Sequence, residues 1–290
     1  MRAAQWQDYE LIDTLSGERL ERWGDVILIR PDPQIIWSGE RRDPRWKQAH
    51  ARYQRSSSGG GKWIDYQKVP PVWKIHWEGL TFRLKTMGFK HTGIFPEQAV
   101  NWQFAMEKIR RANRPAEDPV RVLNLFGYTG AATLACMKAG AMVTHVDASK
   151  GMVQWAKENA QASGIADLPV RWLVDDCVKF VQREQRRGRT YDGIIMDPPS
   201  YGRGPGGEVW KLEEQLYGLI EMCLPILSEK PLFFILNSYT TGLSPSVMEY
   251  LLGLLLQQRF GGKVSSDEIG LPVTSTGLVL PCGSTAIWEQ

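Results

Sequence analysis

The chain has 290 residues, of which 43% are hydrophobic and 23% charged, and its formal net charge is +3. This composition excludes disordered and fibrous proteins, and no apolar run approaches the ~20 residues of a membrane span. The first residues lack the apolar core of a secretory signal. The four cysteines are widely spaced and the four histidines share no ligand spacing, which argues against a structural metal site or a disulfide framework. The sequence therefore predicts a soluble, reduced, cytoplasmic protein without a metal.

Charge and tryptophan are concentrated in the N-terminal third. Residues 41–90 carry 12 Lys and Arg against three acids, and eight of the 12 tryptophans lie between Trp6 and Trp102. One interpretation is a solvated surface over a small aromatic core. The other is a contact surface for nucleic acid, because clustered cations attract phosphates and aromatic rings stack on bases. We predict a basic, strand-containing domain over 1–92 that contacts RNA through 41–90, followed by a second domain over 93–290.

The first domain is predicted to contain short strands. Alternating patterns and turns predict strands within 8–37, and similar runs recur within 72–92. Between them, the segment 43–55 has proline near its start and reads as a short basic helix. The Ser/Gly run 56–61 is typical of a flexible loop.

From residue 99 onward, strand-like and helical patterns alternate. Strands are predicted over 120–126, 141–146, 170–174, 193–196, 232–236, 263–266, and 278–280 with 285–288. Helices are predicted over 99–111, 131–139, 150–162, 178–187, 211–227 and 245–259. Apolar strands separated by amphipathic helices indicate an α/β fold with a largely parallel sheet that is covered on both faces. Such sheets bind ligands beyond the carboxyl ends of their strands.

The first two strand ends carry a glycine turn and an acid. The first strand runs into Gly127-Tyr-Thr-Gly130, where glycine permits close approach of the backbone to a ligand. The turn lacks the G-x-G of dinucleotide sites. The second strand ends at Asp147, about 20 residues later, where a carboxylate can accept both hydroxyls of a ribose. The alternative is that Asp147 or Ser149 caps the next helix.

The third and fourth strand ends also carry acids. Asp175 and Asp176 follow the third strand, and one of them, preferably Asp176, could accept an adenine amino group; capping of the next helix is the alternative. The fourth strand ends in Asp197-Pro-Pro-Ser-Tyr201. The two prolines remove two amide donors, so their carbonyls and the carboxylate form an acceptor-rich site that suits an amino group on a base. Tyr201 could stack on that base.

These four strand ends together resemble the class I S-adenosylmethionine-dependent methyltransferases, and most closely the large-subunit ribosomal RNA methyltransferase group. The segment from Thr92 to Gln98 resembles one that closes over the cofactor in that group, with Glu97 in place of the usual Asp. The resemblance covers about residues 70–290, and no counterpart of the group's RNA-binding PUA domain is present. It implies a Rossmann-like, seven-stranded methyltransferase sheet after a small strand-rich domain, with S-adenosylmethionine as the cofactor.

The resemblance also implies roles for individual residues. Cofactor contacts are expected from Phe95, Gln98, Asn124, Phe126, Gly127, Thr129, Gly130, Asp147, Ala148, Asp176, Cys177 and Asp197. Catalytic roles are expected for Asp197, Pro198 and Tyr201.

The acceptor is predicted to be an amino nitrogen of an RNA base. Methylation at carbon 5 of a pyrimidine needs a cysteine nucleophile. Relatives with that chemistry place a cysteine after the Asp-Pro motif or after the fifth strand, where this chain has Ser200-Tyr201 and 237–239. Three alternatives stay open: a small-molecule or protein acceptor, an NAD-dependent oxidoreductase, and a non-catalytic binder.

Overall fold

The computed structural model describes residues 2–56, 60–203, 209–240 and 242–290. The chain forms two compact units. The first comprises Met1–Ala99 and Gly270–Cys282, and the second comprises Val100–Ile269 and Gly283–Gln290.

The first unit consists mainly of strands. They are β1 (Arg2–Ala3), β2 (Tyr9–Leu15), β3 (Glu18–Trp23), β4 (Val26–Pro31), β5 (Ala51–Arg55), β6 (Gly61–Asp65), β7 (Trp73–Trp77) and β8 (Leu80–Leu84). Strands β2 to β6 form one sheet in sequence order, antiparallel except between β4 and β5, and β7 and β8 form a separate hairpin. One apolar core lies under the sheet and contains Ile12, Leu20, Ile29, Trp46 and Ala49.

The first unit also contains a segment from near the C-terminus. The amide nitrogens of Thr274 and Ser275 donate to the carbonyls of Leu11 and Ile12, each at 2.9 Å. The Ser275 hydroxyl donates to Oδ1 of Asp13 at 2.7 Å. This segment therefore continues the hydrogen bonding of β2, which explains why it belongs to the first unit.

The second unit alternates helices and strands. In chain order they are α1 (Ala99–Ala112), β9 (Arg121–Leu125), α2 (Ala131–Lys138), β10 (Met142–Asp147), α3 (Lys150–Ala162), β11 (Val170–Val174), α4 (Cys177–Arg186), β12 (Gly193–Met196), β13 (Tyr201–Arg203), β14 (Val209–Lys211), α5 (Leu212–Cys223), β15 (Phe233–Ser238), α6 (Pro245–Leu252), α7 (Gln258–Phe260), β16 (Lys263–Pro272) and β17 (Val279–Glu289). Short 3-10 helices cover Pro44–Lys47, Pro96–Gln98 and Leu224–Ile226, and a π-helical turn covers Gly253–Gln257.

The central sheet has the order β1-β16-β17-β15-β12-β9-β10-β11. It contains the seven strands expected from the sequence, and β1 adds an eighth at the edge. Strands β15, β12, β9, β10 and β11 are parallel, and β17 runs antiparallel to β15. Alternate residues of β9 face different cores: Leu123 and Leu125 pack with α4, α5 and α6 on one face. Val122 packs with α1 and α2 on the other.

Three sequence-based boundaries differ from the structure. The basic helix expected over 43–55 is wrong: only Pro44–Lys47 is helical, and Ala51–Arg55 pairs with both β4 and β6. The helix expected over 211–227 ends as an α-helix at Cys223, because Pro225 follows. The two strands expected over 278–280 and 285–288 form one strand, β17, whose second half pairs with β15.

Two features are absent from the described residues. No helix among them is long and apolar enough to cross a membrane. Within the same ranges, no group of three or more His, Cys, Asp or Glu side chains is arranged to hold a metal ion.

Candidate active site

Three acidic or glycine-bearing strand ends meet at one edge of the sheet. Leu125 of β9 lies in register with Val146 of β10 and with Met196 of β12. The residues that follow, Phe126, Asp147 and Asp197, therefore leave three adjacent parallel strands at the same level. This is the crevice position where open parallel sheets bind ligands.

The turn after β9 has a left-handed backbone at alternate residues. Phe126 (φ 58°), Tyr128 (φ 50°) and Gly130 (φ 86°) all occupy this region, which costs of order 1–3 kcal/mol for a non-glycine residue and occurs preferentially at ligand sites. A Cβ on Gly127 would lie 2.5 Å from Nδ1 of His145. Only glycine fits at position 127, and the turn has the backbone geometry of a ligand-binding loop.

A series of buried, hydrogen-bonded polar side chains packs against this turn. The Asn124 amide donates to the Thr133 hydroxyl at 2.9 Å, and that hydroxyl is 2.9 Å from Nδ1 of His145. Nε2 of His145 is buried and has no hydrogen-bond partner within the described ranges. Burial lowers the pKa of His145 to about 3, so the imidazole is neutral and acts as a fixed support. In the sequence, His145 is only one of four histidines that share no ligand spacing.

Replacing Gly127 by alanine should destabilise the second unit. The added methyl group must displace the His145 ring, and overpacking of a filled core costs about 1–3 kcal/mol. Urea unfolding of G127A should show this loss. Gly218 in α5 provides the control, because a Cβ built there meets nothing within 4 Å, so Gly218→Ala should not lower stability. Equal stability of G127A and the wild type would contradict the described packing.

Asp147 connects the glycine turn to the start of α3. Its Oδ2 accepts from the Tyr128 amide and its Oδ1 accepts from the Ser149 amide, each at 2.8 Å. Ser149, not Asp147, caps α3 by accepting from Met152. Burial raises the pKa of Asp147, and these two hydrogen bonds only partly oppose the effect. The carboxylate therefore has room for further donors. Ala148 beside it is exposed.

The two acids after β11 have different partners. Asp175 forms an ion pair with Arg183. Asp176 is exposed and caps α4, because its Oδ1 accepts from the Lys179 amide at 2.9 Å. Asp176 therefore caps α4 through Oδ1, and its Oδ2 is the oxygen that could accept a hydrogen bond from a ligand. Cys177 is buried, and the Phe126 amide donates to its sulfur at 3.4 Å, which couples it to the glycine turn.

The Asp-Pro-Pro segment is fixed by side chains from two later elements. Nε1 of Trp210 donates to the Pro199 carbonyl at 2.6 Å, and the Thr240 hydroxyl donates to Ser200 Oγ at 2.6 Å. The Pro199 carbonyl therefore already accepts one hydrogen bond, and the expectation that both proline carbonyls accept from an amino group stays a prediction. Pro198 is buried, and Tyr201 lies in the β13–β14 ribbon with 52% of its surface exposed.

Trp210 was not identified from the sequence. Its ring centroid lies 6.0 Å from that of Phe126 in a tilted arrangement. One side chain therefore contacts both the glycine turn and the Asp-Pro-Pro segment. In the sequence, Trp210 is only a tryptophan eleven residues after Pro199, and this spacing does not indicate which residues it contacts.

A second buried network lies at the end of β15. The Asn101 amide donates to Oδ1 of Asn237 at 2.8 Å, and the Thr285 hydroxyl donates to Oδ1 of Asn101 at 3.3 Å. The three residues fix the relative positions of α1, β15 and β17. Sequence reasoning considered Asn237 only as a position that lacks a cysteine.

Phe95 and Gln98 belong to the first unit, whereas the other expected site residues belong to the second. Gln98 and Glu97 are buried in a short 3-10 helix, and burial raises the pKa of Glu97. The Phe95 ring packs edge-on against His91, with centroids 5.3 Å apart.

Known proteins similar to this chain are methyltransferases. A family model described as S-adenosylmethionine-dependent methyltransferase matches residues 38–227. A ribosomal RNA large subunit methyltransferase K/L from Shewanella frigidimarina is 30% identical over 217 residues, which cover 70% of this chain and 27% of that protein. The chain thus spans about a quarter of the length of the curated relatives it matches.

Solved structures agree with this assignment. A SAM-dependent methyltransferase from Agrobacterium tumefaciens has a TM-score of 0.92 at 38% identity, covering 99% of this chain and 92% of that one. A putative methyltransferase complexed with SAH (S-adenosylhomocysteine) has a TM-score of 0.72 at 22% identity, covering 98% and 76%, which supports the fold. Because the family model covers well over half of its residues, the chain belongs to the S-adenosylmethionine-dependent methyltransferases.

Proposed function

We propose that this chain transfers the methyl group of S-adenosylmethionine to an amino nitrogen of a base in ribosomal RNA. The observation that carries the proposal is the common level at which Phe126, Asp147 and Asp197 leave β9, β10 and β12. It brings the glycine turn and the carboxylates of Asp147 and Asp197 to one edge of the sheet.

The residues present fit the cofactor. The space that a Cβ would fill at Gly127 and Gly130 is occupied by His145 and Ala156, so the turn presents bare backbone. Asp147 is a carboxylate with few donors, as a site for two ribose hydroxyls requires. The second oxygen of Asp176 would accept from the adenine amino group. We assign supporting contacts to Asn124, Thr129, Ala148 and Cys177 of the same unit.

The acceptor site is assigned to Asp197, Pro198 and Tyr201. When bound, the cofactor supplies a methyl group that its sulfur already activates, so the protein mainly has to position the acceptor. Asp197 and the Pro198 carbonyl would accept hydrogen bonds from the amino group and offset positive charge that develops on its nitrogen. Tyr201 would stack on the base. The amine can lose its proton after transfer, so no general base is assigned.

The cysteines support a nitrogen acceptor over a carbon acceptor. All four are buried. Burial raises the pKa of Cys136 to about 12 and also raises the pKa values of Cys177, Cys223 and Cys282. Their thiols stay protonated at neutral pH, whereas attack on a pyrimidine ring needs a thiolate.

RNA as the partner is supported by the names of the curated relatives and by the cation-rich segment 41–90. The test is to incubate the protein with cofactor tritiated on its methyl group and with separate RNA, protein and metabolite fractions of a cell extract. The label should enter large-subunit ribosomal RNA, and nucleoside digestion should yield an N-methylated base. Label in the protein or metabolite fraction, with none in RNA, would contradict the proposed acceptor.

A further inference from the structure

Many cations of the segment 41–90 are neutralised by acids of the same unit. Arg41 and Arg52 both pair with Glu18, and Arg42 pairs with Glu40. Arg45 pairs with Asp43 and with Glu10. These arginines are less available to phosphates than the composition suggests, so an RNA contact in this unit must depend on a smaller set of cations.

One face of the β5–β6 hairpin carries an unpaired cation beside aromatic rings. Tyr53 lies opposite Trp63 and Arg55 lies opposite Gly61, so all four share one face. The rings of Tyr53 and Trp63 meet edge-on with centroids 5.4 Å apart. Arg55 is exposed and makes no ion pair with any described residue. Lys62, opposite Gln54, points to the other face.

A second segment adds rings beside this face. The Tyr53 hydroxyl donates to the Gly88 carbonyl at 3.4 Å, and Nε1 of Trp63 donates to the Phe89 carbonyl at 3.3 Å. The Phe89 ring is 42% exposed and lies 5.4 Å from His91. His91 in turn contacts Phe95. The hairpin is thus linked through the Phe89 backbone to a row of three rings, Phe89, His91 and Phe95.

Lys90 is a half-buried cation among other cations. Its ammonium donates to the Pro31 carbonyl at 3.5 Å and forms no ion pair within the described part of the chain. Burial, together with the charges of Arg19, Arg30 and Arg55, lowers the pKa of Lys90 to about 8, and Asp32 opposes this effect. Neighbouring His91 stays neutral, because burial and the charges of Arg30, Lys90 and Arg19 lower its pKa to about 4. Because Arg19 and Arg30 are paired with Asp32 and Glu21, Lys90 and Arg55 are the cations of this group that stay available to phosphates.

We propose that Arg55, Trp63, Phe89, Lys90 and His91, here called the aromatic face, bind single-stranded RNA, with the buried Tyr53 ring packed beneath Trp63. Phe89 and Trp63 stack on bases, and Arg55 and Lys90 contact the phosphates. The inference rests on the proposed function and specifies how the acceptor strand is held. Stacking platforms beside cations are the general means of holding single strands.

Fluorescence anisotropy of the full chain with a labelled single-stranded RNA of about 20 nucleotides tests the proposal. Phe89→Ala should weaken binding about tenfold. Arg55→Glu should weaken it as much and make the dependence of log K on log salt shallower by about 0.7. Lys62→Glu, which makes the same charge change on the opposite face, should weaken binding far less. Thermal unfolding of each variant checks that it is folded.

The pH dependence of RNA affinity distinguishes the contribution of Lys90 from that of its neighbours. Lys90 is protonated below its pKa, so the affinity should be highest at neutral pH and fall as the pH rises through about 8. Lys90→Arg keeps the charge at high pH and should remove this decline. Arg19, Arg30, Arg55 and Asp32 are the other charged groups that face Lys90, and His91, whose pKa is lowered to about 4, is neutral across this range.

The outcomes distinguish the two proposals. Equal losses for Arg55→Glu and Lys62→Glu, or no loss for Phe89→Ala, would overturn the aromatic face while RNA binding itself stands. No RNA binding by the wild type at low salt, with intact cofactor binding, would overturn RNA as the acceptor and the aromatic face with it. Preference for duplex over single-stranded RNA would also overturn the stacking assignment.

Discussion

Asp197→Ala should lower the rate of methyl transfer about a hundred- to a thousandfold, because loss of one preorganised electrostatic group at a reacting centre typically has this effect. Cofactor affinity should change little, since the ribose and adenine contacts remain. Single-turnover transfer of the tritiated methyl group gives the rate, and calorimetry with S-adenosylhomocysteine gives the affinity.

A matched control separates this effect from a general charge effect. Asp167 is an exposed acid in the loop before β11, and Asp167→Ala should leave both quantities unchanged. Asp197→Asn should fall between wild type and alanine, because the amide keeps one acceptor. Wild-type turnover by Asp197→Ala would mean that the acceptor binds elsewhere.

Asp147→Ala should weaken binding of S-adenosylhomocysteine at least about a hundredfold. Two hydrogen bonds from ribose hydroxyls to a carboxylate are lost, and each contributes about 1.5–3 kcal/mol when a charged group takes part. The variant also removes the acceptor for the Tyr128 amide, which loosens the turn. Calorimetry measures the affinity, and unfolding in urea shows how much of the loss is structural.

A ligand analogue isolates the sugar contact. The 2′-deoxy form of S-adenosylhomocysteine should bind the wild type more weakly than the parent compound does. The Asp147→Ala variant should bind the two compounds with equal affinity. The difference is a double-mutant cycle on one hydrogen bond. Equal discrimination by wild type and variant would mean that Asp147 acts only on the turn. Affinity should also fall with decreasing pH through the raised pKa of Asp147, because the protonated carboxyl accepts hydroxyl donors less well.

The parallel core of the second unit follows from local sequence patterns. Strands β9, β10, β11 and β12 are short apolar runs that end in glycine or aspartate, and amphipathic helices separate them. The carboxyl ends of neighbouring parallel strands lie at the same edge of the sheet, so the convergence of Gly127, Asp147 and Asp197 could be expected from the strand ends alone.

Features that depend on distant partners could not be predicted in this way. The segment Gly270–Cys282 joins the first unit through hydrogen bonds to β2, and no local pattern indicates a pairing across 260 residues. The helix expected over 43–55 failed for the same reason, since tertiary pairing of Ala51–Arg55 overrides its helical propensity. The two compact units divide after Ala99, and the domain boundary expected between residues 92 and 93 stays a prediction.

The sequence predicted which types of residue lie at the site, but not which side chains and backbone groups they contact. Asp176 was recognised as an acid at a strand end, yet its capping bond to Lys179 depends on where α4 begins. The contact of Trp210 with Phe126 and Pro199 depends on the return of the β13–β14 ribbon. The pairing of Arg41 and Arg52 with Glu18 depends on sheet order. Composition alone therefore overstates the charge that this unit offers to RNA.

A crystal structure of the full chain with S-adenosylhomocysteine tests the account most directly. We expect both ribose hydroxyls within hydrogen-bond distance of the Asp147 carboxylate, backbone of the turn after β9 against the amino acid part, and the sulfur facing Asp197. A nucleoside bound away from Asp147, or a sulfur that faces away from Asp197, would contradict it.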